Sequence, residues 1–158
     1  MSPSETEGPA IVVQIAPEVA GAPEEDRLIA WAEAAREAAG VTGELVIRVA
    51  DTDEITHLNA EFRGKEAPTN VLSFPADLPD GPWEPLLGDV VICPRVVARE
   101  AAEQNKAEVA HWAHMVVHGV LHLAGYDHQE EAEAEVMEDR ERAILAGLGF
   151  GDPYAGEG

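Results

Sequence analysis

Between residues 107 and 128 the chain reads AEVAHWAHMVVHGVLHLAGYDH, an apolar run that carries five of its histidines. At about 100° per residue, His111, His114, His118 and His122 fall within roughly an 80° arc, so one helix face presents four imidazoles. His118 and His122 lie one turn apart, close enough for both rings to direct a nitrogen at one ion about 2.0–2.1 Å away. Gly125 then ends the helix, because glycine adopts the left-handed conformation that reverses a chain after its last turn. That reversal predicts that His128 returns toward His118 and His122. These three side chains are the expected metal ligands, and Zn²⁺ held by three histidines keeps a fourth position for water or substrate.

The ligand spacing is similar to the three-histidine zinc pattern of the metzincin proteases, with one difference. Where those proteases place a glutamate as general base after the first histidine, this chain has Gly119, which can neither accept nor deliver a proton. HGVLHLAGYDH at 118–128, preceded by HWAHMVV and by RGKEAPTNVLSFP at 63–75, closely resembles the YbeY family of bacterial metal-dependent single-strand endoribonucleases. The resemblance spans roughly residues 44–148. It implies phosphodiester cleavage in single-stranded RNA during ribosomal RNA maturation, at the 3′ end of 16S RNA, and ribosome quality control, with the ribosome or its proteins as partners. It also implies a role for Arg63, which matches the arginine of the family's RGK-x-x-PTNVLSF motif. A planar guanidinium suits phosphate because it donates two parallel hydrogen bonds. Asp127, beside His128, is placed either to orient an imidazole or simply to form the turn, and His114 either to contact substrate or to line the cleft.

Two other classes fit part of the pattern. A zinc-dependent hydrolase of peptides or small amides would use the same cage, but Gly119 removes its usual base. A non-catalytic metal-stabilised module that docks on the ribosome would suit the charge, since basic ribosomal proteins attract acidic surfaces. With 31 acidic residues against 10 basic ones, the net charge is −21, which argues against general attraction to nucleic acid, DNA included. RNA contact is therefore expected to be local, at Arg63 and Lys65 in one loop and at Arg95, Arg99 and Lys106 after the last strand. The acids of 24–37 and 130–141 read as solvated helix faces.

At 158 residues and 46% hydrophobic content, the expectation is one domain over 1–158, with loose tails at 1–10 and 149–158. No basic segment precedes an apolar stretch at the start, and no apolar run reaches membrane-spanning length, so a cytoplasmic location is expected. Cys93, the lone cysteine, ends an apolar run and reads as a buried thiol. Strands are predicted at 11–16, 45–49, 70–74 and 87–93 from β-rich apolar runs between turn residues. Helices are predicted at 23–39, at 51–62 behind a capping-box-like Asp51 and Glu54, after Pro94, through the histidine run, and at 129–148. Val136, Met137, Ile144, Leu145 and Leu148 are the expected inward residues of the last helix, Ile55, Leu58, Asn59 and Phe62 form one side of the second, and His57 is a surface residue. Residues 76–85, rich in proline, read as a flap. The order describes an α+β fold: a mixed four-stranded sheet packed with about five helices, the histidine-bearing helix at its centre.

Overall fold

The structure, a computed structural model, describes residues 11–17, 19–41, 43–75, 86–126 and 131–153. The expectations for 1–10, 76–85, Asp127 and His128 lie outside the described residues. The elements are β1 (Ile11–Ile15), α1 (Glu25–Ala39), β2 (Glu44–Val49), α2 (Thr52–Arg63), β3 (Val71–Pro75), β4 (Leu86–Ile92), α3 (Pro94–Glu103), α4 (Glu108–Leu123) and α5 (Glu131–Gly147). Four strands run in the order β1-β2-β4-β3; β1, β2 and β4 are parallel, and β3 is antiparallel to β4. The fold is α+β with a mixed sheet and five helices, as the element order implies.

Alternation along the strands divides the apolar residues between two cores. Leu45, Ile47 and Val49 of β2 and Val90 and Ile92 of β4 point to one face, where α1, α4 and α5 cover them. Val91 and Cys93 point to the other, with Leu72 of β3, Ile55 of α2 and Val96 of α3. On α3, Val97 packs in the first core and Val96 in the second, so that helix borders both. Leu28, Trp31, Ala32 and Ala35 recur at helical spacing and bury one stripe of α1. Burial of each large aliphatic side chain contributes about 1.5–3 kcal/mol, so the nearly chargeless α4, buried from His111 to Val117, anchors the larger core. Cys93 is a buried free thiol, as expected.

Several local expectations change. The third and fourth strands each lie one residue from their predicted limits, and β3 runs into Pro75, which an edge strand tolerates because its outer N–H needs no partner. Asp51 caps α2 by accepting from the Glu54 N–H at 2.8 Å, but the Glu54 carboxylate turns to Arg48 in a two-pronged ion pair, leaving the capping box half formed. Phe62 and Val136 are exposed; the Phe62 ring meets that of Phe74 edge to face, at 4.9 Å between centroids. Residues 149–153 are tied down: Phe150 packs on Trp31, Asp152 bonds Arg142, and the Pro153 carbonyl accepts from Lys106. Among the described residues no helix is long and apolar enough to cross a membrane.

Candidate metal centre

Helix α4 forms over a run with almost no charge, and its imidazoles line up as the spacing predicts. Successive ring centroids are 6.1 Å apart from His111 to His114, 6.1 Å from His114 to His118, and 4.7 Å from His118 to His122, each pair edge to face. His111 and His114 are buried, whereas His118 and His122 are half-buried toward the helix end. Gly125 has φ +105°, and the chain stops there as expected: the Gly125 N–H bonds the His122 carbonyl and the Tyr126 N–H bonds the Leu121 carbonyl, each at 3.0 Å. This paired arrangement satisfies two carbonyls of the last turn and ends the helix.

Gly119 faces the sheet. An added Cβ there would stand 2.6 Å from Val90 Cγ1 and 3.3 Å from Ser73 Oγ, and the Ser73 hydroxyl donates to the Gly119 carbonyl at 2.9 Å. Position 119 is glycine because α4 lies directly on β3 and β4. The place where a metzincin carries its base is inside the helix–sheet contact.

Sequence reasoning missed Glu141. Expected among the solvated acids of 130–141, it is fully buried on α5. One carboxylate oxygen lies 3.1 Å from His114 Nε2 and the other 2.5 Å from His118 Nδ1. Burial pushes this carboxyl up, but the hydrogen bonds from His114 and His118 outweigh it and lower its pKa to about 2. A signal was present. Glu141 follows Met137 by four and precedes Ile144 by three, the spacing of the buried face of α5.

His114, His118 and Glu141 each offer a ligand atom, all within 4.8 Å of one another, so this buried group could hold a metal ion. Two donors on one tetrahedral ion at about 2.0–2.1 Å stand roughly 3.3 Å apart. At 2.5 Å the Glu141–His118 contact is instead a strong hydrogen bond. Of the three expected ligands, the structure brings His118 and His122 together, and His128 lies outside the described residues.

A second carboxylate anchors the other end of the ladder. Glu100 of α3 accepts from His111 Nε2 at 2.9 Å and from Asn70 Nδ2 at 3.0 Å, while Asn70 Oδ1 accepts from the Val71 N–H. Asn70, in the upstream motif, therefore joins β3, α3 and α4. Burial lowers the pKa of His111 more than Glu100 raises it.

Arg63 occupies the exposed last turn of α2, and Gly64 caps it in the left-handed conformation. Among the described residues it has no hydrogen-bond or ion-pair partner. Asn59 Nδ2 donates to the Ala67 carbonyl at 2.8 Å and closes the loop bearing Lys65. The Phe62–Phe74 contact places the end of α2 against β3, one residue from Ser73, which bonds α4 beside His118. His57 is exposed beside Glu61.

Comparison with known proteins follows the same lines. The family model for endoribonuclease YbeY matches residues 23–149. The endoribonuclease YbeY of Halorhodospira halophila is 59% identical over 138 residues, covering 85% of this chain and 90% of that protein. That of Methylococcus capsulatus is 63% identical over 124 residues, covering 78% and 81%. The solution structure of TM1509 from Thermotoga maritima matches with a TM-score of 0.57 at 25% identity, covering 92% of this chain and 98% of that one. With its histidine helix, glycine-tight sheet contact and these relatives, the chain belongs to the endoribonuclease YbeY family.

Proposed function

We propose that this chain is a metal-dependent endoribonuclease that cuts single-stranded RNA in ribosomal RNA processing, with His118, His122 and His128 holding one zinc-like ion and Arg63 binding phosphate. The observation that carries it is the pair of half-buried imidazoles at the end of α4, 4.7 Å apart and followed by Gly125 in the left-handed conformation, in a member of an endoribonuclease family. The residues fit such an ion: neutral nitrogen donors one helical turn apart suit zinc and leave it its full charge for an anionic substrate. When bound, the ion would supply Lewis acidity at a phosphoryl oxygen.

The chain's own residues do the rest. Exposed Arg63 can pair with a phosphate oxygen without first breaking an internal ion pair. The α3 and α5 carboxylates fix the histidine ladder before substrate arrives, so little ordering remains to be done at the moment of reaction. Gly119 and Ser73 set the depth at which α4 lies on the sheet, and hence where His118 emerges. The processing site at the 16S 3′ end, a ribosomal partner and a cytoplasmic location belong to the same proposal.

The test is cleavage of a single-stranded RNA and of the same sequence as a duplex by purified protein, with and without chelator. Single-strand cleavage that chelator abolishes and zinc restores is expected. His122→Ala should lose both cleavage and bound metal. Chelator-resistant cleavage, or stoichiometric zinc in the His122→Ala protein, would overturn the assignment.

A further inference from the structure

We propose that Glu141 is a positioning residue for the metal centre: its carboxylate, buried between His114 and His118, holds the His118 ring as the Nδ1–H tautomer so that Nε2 is the nitrogen given to the ion. This rests on the reading that His118 is a ligand.

An ionised carboxylate only accepts hydrogen bonds, so the two rings touching it must each be donors. At 2.5 Å, His118 presents its proton from Nδ1, which leaves Nε2 as the lone-pair nitrogen of the neutral ring. At 3.1 Å, His114 presents its proton from Nε2, so that nitrogen serves Glu141 rather than an ion. One carboxylate thus assigns different tautomers to two histidines one turn apart. Burying an acid without any exposure is costly unless hydrogen bonds satisfy it, and here each oxygen has a histidine donor.

The arrangement also sets ring orientation. Glu141 comes from α5, packed against α4 through Met137, Ile144 and Leu145, so the acceptor is fixed by a helix rather than a mobile loop. A carboxylate behind a ligating imidazole raises its basicity and fixes its plane, and losing such a partner costs about 10–100-fold in metal affinity. A purely structural tie between α4 and α5 would require only the hydrogen bonds, not the charge or a particular tautomer at His118.

Two measurements decide it. In metal-free wild-type protein at pH 8, long-range ¹H–¹⁵N spectra should show His118 with Nδ1 protonated and Nε2 bare; any other protonation pattern overturns the proposal. In Glu141→Gln, which keeps shape and removes charge, zinc affinity measured by competition with a chromophoric chelator should fall about 10–100-fold while the far-UV spectrum is retained. A folded Glu141→Gln protein with wild-type zinc affinity overturns it too, and if that variant does not fold, the wild-type spectrum alone decides. Neither readout involves RNA. A wild-type protein that binds zinc but cuts no RNA would remove the proposed activity and leave Glu141 in place, whereas unchanged affinity in Glu141→Gln would do the reverse.

Discussion

A single methyl group at position 119 would meet a stiff, fully buried neighbour. Val90 is β-branched and lies in a central strand, so it cannot swing away from a Cβ placed 2.6 Å from its Cγ1. Overpacking of this kind costs about 1–3 kcal/mol, and the better helix propensity of alanine offsets about 1 kcal/mol of it. Gly119→Ala is therefore expected to lower stability by up to about 2 kcal/mol in urea unfolding, and a higher midpoint would show that the sheet contact yields. Arg63 is the opposite case, since its exposed side chain has no hydrogen-bond or ion-pair partner among the described residues to lose. Arg63→Ala should leave the unfolding midpoint and metal content unchanged while lowering RNA cleavage by about 10² or more, with Arg63→Lys recovering part of the rate. A rate per folded molecule equal to wild type would reduce Arg63 to a helix-end cation. What the sequence disclosed at this scale was chemistry carried by spacing: His118, His122, the turn at Gly125 and the missing base at 119 were all legible. The reason for Gly119 was not, because it lies in the distance to a strand 29 positions earlier. Glu141 was legible only as a position on the Met137–Ile144 stripe; its burial depends on histidine donors from another helix, and it sits between Arg140 and Arg142 in a strongly charged run.

Among the elements, α4 is held from three sides by polar contacts set into an apolar interface. Glu100 of α3 bonds His111, Glu141 of α5 bonds His114 and His118, and Ser73 of β3 bonds the Gly119 carbonyl. Strand and helix identities were readable because period-2 and period-3.6 patterns are local, whereas the pairing of β4 between β2 and β3 was not, since it depends on long-range register. The fate of 149–153 was also hidden: a short glycine-flanked segment looks loose until Trp31 supplies a surface for Phe150. The α3–α4 contact carries a pH dependence. Burial lowers the His111 pKa from its ordinary value near 6.5, helped by His114 and Lys106, against Glu100, which raises it. The unfolded chain thus binds a proton that the folded one resists, so the contribution of a neutral His111 is present above about pH 6.5 and is lost as the pH falls below it. Urea unfolding between pH 7.5 and 5.5 should show stability decreasing toward acid, with a shallower decrease in His111→Gln. An unchanged slope in that variant would assign the dependence to other groups.

Across the whole molecule the question is how a chain of net charge −21 meets a polyanion. Most of its cations are engaged internally. Arg48 pairs with Glu54, Arg142 with Asp139 and Asp152, and Arg99 with Glu103; Arg36 donates to the Gly43 carbonyl, Lys106 to that of Pro153, and Arg27 sits over the Trp31 ring. Arg63, Lys65, Arg95 and Arg140 have no such partner among the described residues. Arg140 stands on α5 next to Asp139 and Glu138 in sequence, an unfavourable place for phosphate. The other three lie in the last turn of α2, the loop after it and the first turn of α3, helices that contribute Ile55 and Val96 to the second core. About three phosphate contacts are therefore expected, and for a single strand the slope of log affinity against log salt is roughly −0.7 per contact, or about −2 in total. Fluorescence anisotropy with a short single-stranded RNA, using a cleavage-inactive His122→Ala protein over a range of potassium chloride, measures that slope. Arg95→Ala in the same background should flatten it by about 0.7, since one counterion fewer is released. A slope steeper than about −4, or one that Arg95→Ala leaves untouched, would mean that the RNA follows a different surface from the one bearing Arg63, Lys65 and Arg95.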